Sequence, residues 1–323
     1  MRYIVIGAGA VGGTIGARLH QGGHDVLLVA RGAHYEALRR DGLRLITPES
    51  SETLDVPTAD GPVPTRDDDV LVLATKSQDT IAALAPWSPD LPVVCAQNGV
   101  ANERMVLRRF ERVYGVCVWL PAQIPAPGVV AAHARPYSGM LHVGRYPQGV
   151  DDLSEQIVTD LGKHGLLART SPDVMRWKYG KLLGNLNNAV EALIGHAPGQ
   201  VELVESARSE ARAVLERAGI AYATPDDEAE VRGDKVVARP IDGIGRGGGS
   251  SWQSLARASG SIEADYLNGE IVLLGREHGV PTPVNETLRR EANRYAREKL
   301  PPGSMPPETL RALIDERSAA GSR

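Results

Sequence analysis

The sequence predicts an α/β protein in two parts: a doubly wound, mainly parallel sheet in the N-terminal half and an all-helical domain behind it. Three observations carry this. Short, wholly apolar runs alternate with helix-length segments over the first third of the chain. Long stretches with a helical apolar rhythm fill the chain from about residue 171 onward. The first apolar run passes directly into a glycine cluster, YIVIGAGAVGG at residues 3–13.

Taken in order, Ile4, Val5 and Ile6 form an uninterrupted apolar run, the pattern of a strand covered on both faces. Val11, Ile15 and Leu19 then recur at four-residue spacing and mark one face of a helix. HDVLLVAR (24–31) reads as a second strand, and DVLVLAT (69–75) and PVVCAQ (92–97) as two more, with helices over 33–41 and 80–84 between them. Such alternation is the signature of a doubly wound sheet. From about residue 112 the rhythm shortens. ERVYGVCVWL, GVVAAHA and GMLHVGRY read as short strands separated by Pro and Gly turns, expected as an antiparallel extension of the sheet. Beyond them, 175–195, 205–219, 261–279 and 285–300 each carry helical periodicity. Residues 243–251, GIGRGGGSS, read as a flexible loop feeding a helix. The segment from Pro301 is expected to hold one short helical stretch and a mobile tail. The domain boundary is placed at 168/169, giving domains 1–168 and 169–323; no internal repeat is evident.

Composition narrows the function classes. With 42% hydrophobic and 24% charged residues, the chain has the make-up of a soluble globular protein. Its net charge of -4, with basic residues scattered among acidic ones, offers no field for nucleic acid. No apolar run approaches the roughly 20 residues needed to span a bilayer. The N-terminus opens as a strand rather than a signal peptide, so a cytoplasmic location is expected. Cys95 and Cys117 each sit in a β-like run and are read as buried apolar residues. The histidines are dispersed without ligand spacing, and no metal site is expected.

The glycine cluster has a chemical reading. In Gly7-x-Gly9-x-x-Gly12, Gly7 permits a tight turn, Gly9 lets a pyrophosphate approach the backbone, and Gly12 lets the helix pack close to the sheet. The helix start, with Ala10 and Val11, favours negative charge. A Rossmann-type dinucleotide-binding domain is therefore expected. Dinucleotide-binding domains that take NAD end their second strand in Asp or Glu, which bonds the ribose 2′-hydroxyl. Here that strand ends Val29-Ala30-Arg31, and a guanidinium suits a 2′-phosphate, so NADPH/NADP is the expected cofactor.

Separated pieces along nearly the whole chain now resemble the ketopantoate reductase (2-dehydropantoate 2-reductase) family. They are GAGAVG, Arg31, Lys76 in ATKSQDT, QNG at 97–99, WKYGKLLGN at 177–185, Ser250 with Ser251, SIEADYLNGEIV and GVPTPVN. The order of Lys76, Asn98, Lys181 with Asn185, and Glu263 is more specific than the glycines. The resemblance implies a helical C-terminal domain, an active site in the cleft between domains, and NADPH-dependent reduction of a 2-oxo acid. By motif match, Lys76 and Asn98 lie near cofactor and substrate. Lys181 corresponds to the catalytic lysine, Asn185 to a substrate-site asparagine, and Ser251 and Glu263 to substrate-binding residues. Glu263 is also implicated in catalysis and at the cofactor. Such two-domain layouts commonly dimerise through the helical domain.

The residue chemistry agrees with this reading. Hydride reduction of a ketone builds negative charge on oxygen, which a cation or proton donor must meet. Lys181 can supply that, and Ser251 with an asparagine can hold a carboxylate. At about 100° per residue, Asn185 lies roughly 40° from Lys181 and Asn188 roughly 20° to the other side, forming one polar stripe. A solvated helix face would look the same, yet three asparagines within four positions carry a propensity cost that ligand binding would explain. Lys178 is the rival lysine, and the four-residue lysine-to-asparagine spacing selects Lys181. The glycine run before Ser250 reads equally as a hinge or as surface slack.

Departures fall in the substrate half. Ala189 stands where the family often has asparagine, with Asn188 as its substitute; Pro198-Gly199-Gln200 replaces a PNG-like element; and WQSL at 252–255 replaces LQD. Ketopantoate is the first candidate substrate. A related hydroxyacid or opine-type dehydrogenase is the alternative, and a non-catalytic NADPH-sensing protein the third reading.

Overall fold

The computed structural model describes residues 1–245 and 247–321. The chain divides into two compact units, Met1–Lys178 with Ala223–Arg246, and Tyr179–Tyr222 with Gly247–Arg323. The first unit opens with β1 (Arg2–Ile6), α1 (Ala10–Gln21), β2 (Asp25–Val29), α2 (Gly32–Asp41), β3 (Leu43–Ile46), β4 (Ser51–Leu54) and β5 (Thr58–Ala59). It continues with β6 (Asp69–Leu73), α3 (Thr80–Leu84), β7 (Val93–Cys95), α4 (Asn102–Leu107), β8 (Val113–Trp119), β9 (Ala122–Ala126) and β10 (Val129–Ala132). After these come β11 (Ala134–Pro136), β12 (Met140–Arg145), α5 (Asp152–Gly162) and β13 (Leu167–Thr170). α6 (Val174–Asn185) carries the chain into the second unit, where α7 (Asn187–Ile194) and α8 (Gln200–Ala218) follow. α9 (Pro225–Arg232) and β14 (Val236–Ala238) belong to the first unit. α10 (Ser250–Ala256), α11 (Asn268–His278), α12 (Pro283–Glu298) and α13 (Pro307–Gly321) complete the second.

The first unit is built on one sheet in the order β13-β12-β8-β7-β6-β1-β2-β5. Every pair from β5 to β8 is parallel; β12 runs antiparallel to β8, and β13 parallel to β12. The winding reverses at β1, which has β2 on one side and β6 on the other. Chains leaving the C-terminal ends of such neighbours diverge and leave a crevice. The uninterrupted YIVI run is explained by burial on both faces. Tyr3 and Val5 pack with Ile15 and Leu19 of α1 and Ile157 and Leu161 of α5. Ile4 and Ile6 pack with Leu84 of α3, Val106 of α4 and Phe110. At about 1.5–3 kcal/mol for each large side chain fully buried, alternate residues of one strand secure two helical layers.

The structure corrects several readings. GVVAAHA does not extend the main sheet: β10 lies in a separate four-stranded sheet of order β4-β3-β10-β9, parallel to β3 and antiparallel to β9. ERVYGVCVWL continues the parallel series as β8, and direction reverses only at β12 and its parallel neighbour β13. The single helix expected over 175–195 is two, α6 and α7, although Leu186 between them keeps near-helical angles (φ -60°, ψ -24°). The helix expected over 261–279 begins only at Asn268, because Leu267 (φ -113°, ψ -91°) leaves the helical region, so Glu263 precedes it. The terminal segment holds a fifteen-residue helix, α13, rather than a short stretch. Residues 322–323 of the expected tail, like Arg246 in the glycine-rich loop, lie outside the described residues.

Among its described residues, the regular elements of the second unit are all helices. α12 takes its N-terminal cap from another helix: the half-buried Glu210 carboxylate of α8 accepts the N–H groups of Val284 and Asn285 at 2.8 and 2.9 Å. No helix among the described residues is long and apolar enough to cross a membrane. Cys95 and Cys117 are buried and unbridged.

His142 of β12 is fully buried between Trp119 and Trp177, with ring centroids 5.1 and 4.3 Å away. Neither ring nitrogen has a hydrogen-bond partner among the described residues. Burial, with Arg169 nearby adding a smaller effect, pushes the imidazole down to about 3. The unfolded chain therefore protonates first. Stability from this group is fully present above the unfolded value of about 6.5 and is lost as pH falls below it. Wild type should lose about 2 kcal/mol more than His142→Phe in denaturant unfolding between pH 7 and pH 5. Equal pH slopes in the two proteins would contradict a neutral buried imidazole.

Candidate active site

The turn after β1 owes its shape to glycines used in two different ways. Gly7 has φ +97°, and a Cβ there would lie 3.0 Å from the backbone of Ala74 and Thr75. A Cβ on Gly12 would come within 2.1 Å of the Gly7 carbonyl oxygen. Both are glycines because β6 and the turn press on α1. Gly9 differs: a Cβ there would meet only Ile124, at 3.9 Å, so the bare backbone faces room rather than protein. Gly9 is also the N-cap of α1, with no side-chain cap and no acid in the first turn. The N–H groups of Ala10, Val11 and Gly12 have no carbonyl one turn earlier within the helix. This combination fits a bound pyrophosphate. At the end of β2, exposed Arg31 is the N-cap of α2.

Lys76 and Asn98 follow β6 and β7, so each leaves the same C-terminal edge of the sheet as the glycine turn. A buried polar network lies beneath them. The Gln97 amide donates to the Thr75 carbonyl at 3.1 Å and to the Thr80 hydroxyl at 2.9 Å. Thr80 donates to Asn102 Oδ1 at 2.8 Å, and Asn102 Nδ2 donates to Ser77 Oγ and the Asn98 carbonyl, both at 3.1 Å. Lys178, 3% exposed, closes the network. Its ammonium donates to the Gln97 carbonyl at 3.1 Å and pairs with the buried Glu103 carboxylate. Gly115 makes room for this pair, since a Cβ would lie 3.3 Å from Glu103 Oε1 and 3.1 Å from Val174. Burial, with Glu103 close by, pushes the Cys95 thiol well above its ordinary range.

The second unit gathers Lys181 and Asn185 on α6, Asn188 on α7 and Ser251 on α10. Lys181, Asn185 and Asn188 are half-buried; Ser251 and Glu263 are buried. Asn185 Nδ2 is enclosed and has no hydrogen-bond partner among the described residues. Glu263 sits at the start of a short 3₁₀ turn, its carbonyl accepting from the Tyr266 N–H at 2.9 Å. The glycines before Ser250 are held against α7. Glu191 accepts the Gly249 N–H at 2.9 Å, and Asn188 Nδ2 donates to Ser250 Oγ at 3.2 Å. A Cβ at Gly248 or Gly249 would lie 2.7 or 2.9 Å from the Glu191 carboxylate, which would have to shift to admit it. Trp252, replacing the family's leucine, packs so near Gly303 that a Cβ there would lie 2.8 Å from the indole.

Sequence reasoning missed Glu103, Glu191 and His34. Lys178 carried the available signal for Glu103: a lysine beside Trp177 in an apolar helix needs a buried carboxylate. Among the described residues, no group of His, Cys, Asp and Glu could hold a metal ion.

Comparison with known proteins agrees over both halves. The family model "Ketopantoate reductase PanE/ApbA" matches residues 3–148, and "Ketopantoate reductase PanE/ApbA C terminal" matches 173–296. A 2-dehydropantoate 2-reductase of Mesorhizobium japonicum is 30% identical, covering 93% of this chain and 99% of its own. The crystal structure of a PanE/ApbA family ketopantoate reductase from Ralstonia eutropha JMP134 superposes with TM-score 0.75 at 26% identity, covering 98% of this chain and 100% of its own. A D-mandelate dehydrogenase solved with NADH and anilino(oxo)acetate shares the fold, with TM-score 0.74 at 22% identity over 98% of this chain and 99% of its own.

The buried ion pair makes a quantitative prediction. Lys178→Met strands the Glu103 carboxylate and should cost about 3–5 kcal/mol in denaturant unfolding. Lys178→Met with Glu103→Leu removes both charges and should recover more than half of that loss. A double variant as unstable as the sum of the single ones would contradict the pairing.

Proposed function

The chain belongs to the ketopantoate reductase family and is an oxidoreductase acting on CH–OH groups; on that premise we propose that it reduces 2-dehydropantoate to pantoate with NADPH. One observation carries the reading: a turn with room above Gly9 and an uncapped α1, flanked at the end of β2 by Arg31 where an NAD site would have an acid. The guanidinium suits a 2′-phosphate through paired charge-assisted bonds. The dinucleotide is assigned to residues 1–168, with Gly7, Gly9, Ala10, Val11, Gly12, Arg31, Lys76 and Asn98 as its contacts, and the substrate to residues 169–323.

When bound, the reduced dinucleotide supplies a hydride to the ketone carbon. Negative charge then develops on the carbonyl oxygen, and Lys181 is assigned to stabilise it and deliver the proton. Lys178 is occupied by Glu103 and the Gln97 carbonyl, which counts against it as the acting lysine. Ser251, Asn185 and Asn188 are assigned to the substrate carboxylate and hydroxyl, a role supported by the enclosed, unbonded Nδ2 of Asn185. Asn188 also donates to Ser250 Oγ, which would steady the serine pair beside it. Glu263 accepts from a substrate hydroxyl or aims the Lys181 ammonium, and contacts the cofactor. A second reading, another 2-oxo acid, is favoured by the changed substrate half. At the site of the family's PNG-like element, Gly199 has φ +83°, and a Cβ there would collide with the Arg311 guanidinium at 1.6 Å.

Steady-state oxidation of NADPH and NADH over a panel of 2-oxo acids tests the proposal. Ketopantoate should show the highest kcat/KM, with NADPH preferred at least about tenfold, a preference that Arg31→Asp removes. Lys181→Ala should lower kcat by about 10²- to 10⁴-fold. A better 2-oxo acid would establish the second reading; full activity in Lys181→Ala would overturn the assigned chemistry.

A further inference from the structure

His34, on the first turn of α2, touches two other parts of the first unit through its two ring nitrogens. Nε2 lies 2.7 Å from the Ala8 carbonyl oxygen, inside the glycine turn. Nδ1 lies 3.0 Å from the backbone nitrogen of Gly128, at the tip of the β9–β10 hairpin. The second contact determines the tautomer. A backbone N–H can only donate, so Nδ1 must accept and carries no proton; Nε2 then holds the single ring proton and donates it to Ala8. Burial holds the imidazole below its ordinary value, against the opposing pull of the Ala8 carbonyl. The hairpin reaches the ring because Gly128 has φ +77° and no side chain; a Cβ would lie 3.0 Å from Ala37 Cβ of α2.

The Ala8 carbonyl is a consequential place to hold. The Gly7 and Ala8 N–H groups already donate to the Val29 carbonyl, at 3.0 and 3.2 Å, which anchors the turn to the end of β2. The next peptide joins Ala8 to Gly9, and in a trans peptide the carbonyl and the following N–H point in opposite directions. Fixing the Ala8 oxygen on His34 therefore directs the Gly9 N–H to the opposite side. Without that bond, this peptide could rotate, since a glycine follows it.

We propose that His34 is a positioning residue for the dinucleotide, pre-setting the Ala8–Gly9 peptide so that the Gly9 N–H is presented to the pyrophosphate before the cofactor arrives. This rests on the NADPH-binding reading above. The same residue gives the β9–β10 hairpin a fixed attachment to the glycine turn, and Nδ1 bears that separate bond.

Three substitutions separate the two nitrogens. His34→Gln can place an amide donor where Nε2 stands, His34→Asn can place an acceptor where Nδ1 stands, and His34→Ala supplies neither. NADPH affinity is measured by fluorescence titration of each protein without substrate, with thermal unfolding of the unliganded proteins alongside. His34→Gln should bind within about twofold of wild type, whereas His34→Asn and His34→Ala should weaken binding about five- to tenfold, the scale of one lost hydrogen bond. In the unliganded wild type, ¹⁵N spectra should show His34 with a protonated Nε2 and a bare Nδ1. Equal affinity in all four proteins, failure of Gln to rescue, or the opposite tautomer would overturn the inference. If wild type itself binds no NADPH, the cofactor reading fails instead.

Discussion

A lysine ammonium removed from water must be paired, and in this chain that requirement organises the edge of the sheet. Lys178 on α6 is satisfied by the Glu103 carboxylate on α4 and the carbonyl of Gln97. Those contacts tie α6 to the stretch from the end of β7 to α4, more than seventy residues earlier, at one point. Gln97 passes the constraint to Thr75 and Thr80, and Asn102 passes it to Ser77 and Asn98. The turns that carry Lys76 and Asn98 are thereby held by buried hydrogen bonds rather than by their own conformational preferences. Loosening the network would leave buried polar groups unsatisfied, at about 1–3 kcal/mol each, which makes the arrangement nearly all-or-none.

The glycines show how one residue type serves opposite ends. Gly7 and Gly12 are required because backbone occupies the space of a side chain, and Gly115, Gly248 and Gly249 are crowded by neighbouring side chains. Gly9 is bare with nothing but Ile124 nearby, which is the condition a ligand-facing position should meet. A glycine-rich motif alone does not distinguish the two uses, because both write the same letter.

The parts of the fold governed by local pattern were legible in the sequence. The buried strands β1, β2, β6 and β7 stood out because burial on both faces leaves only apolar residues, and Gly7, Gly9 and Gly12 followed immediately after the first. The parts governed by distant partners were not. β10 looks like any short apolar strand, and nothing in GVVAAHA states that it pairs with β3 more than eighty residues earlier instead of joining the main sheet. The break at Leu267 depends on backbone angles that an apolar rhythm cannot register, so Glu263 was read onto a helix it precedes. Within the candidate site, Lys76, Asn98, Lys181, Asn185 and Glu263 were reached through family resemblance. Glu103, Glu191 and His34 do their work by meeting backbone or a distant charge, and carry no spacing signal.

The account centres on the proposal that a nicotinamide dinucleotide, its pyrophosphate held at the Gly7–Gly12 turn, reduces a ketone beside a carboxylate. The most direct measurement is a turnover of ketopantoate with NADPH stereospecifically deuterated at the nicotinamide C4, in parallel reactions for each face, with the product analysed by NMR. The account predicts pantoate carrying one deuterium on the hydroxyl-bearing carbon next to its carboxylate, from one of the two labelled cofactors. Pantoate without deuterium at that carbon from either, or no product formed with NADPH, would contradict it.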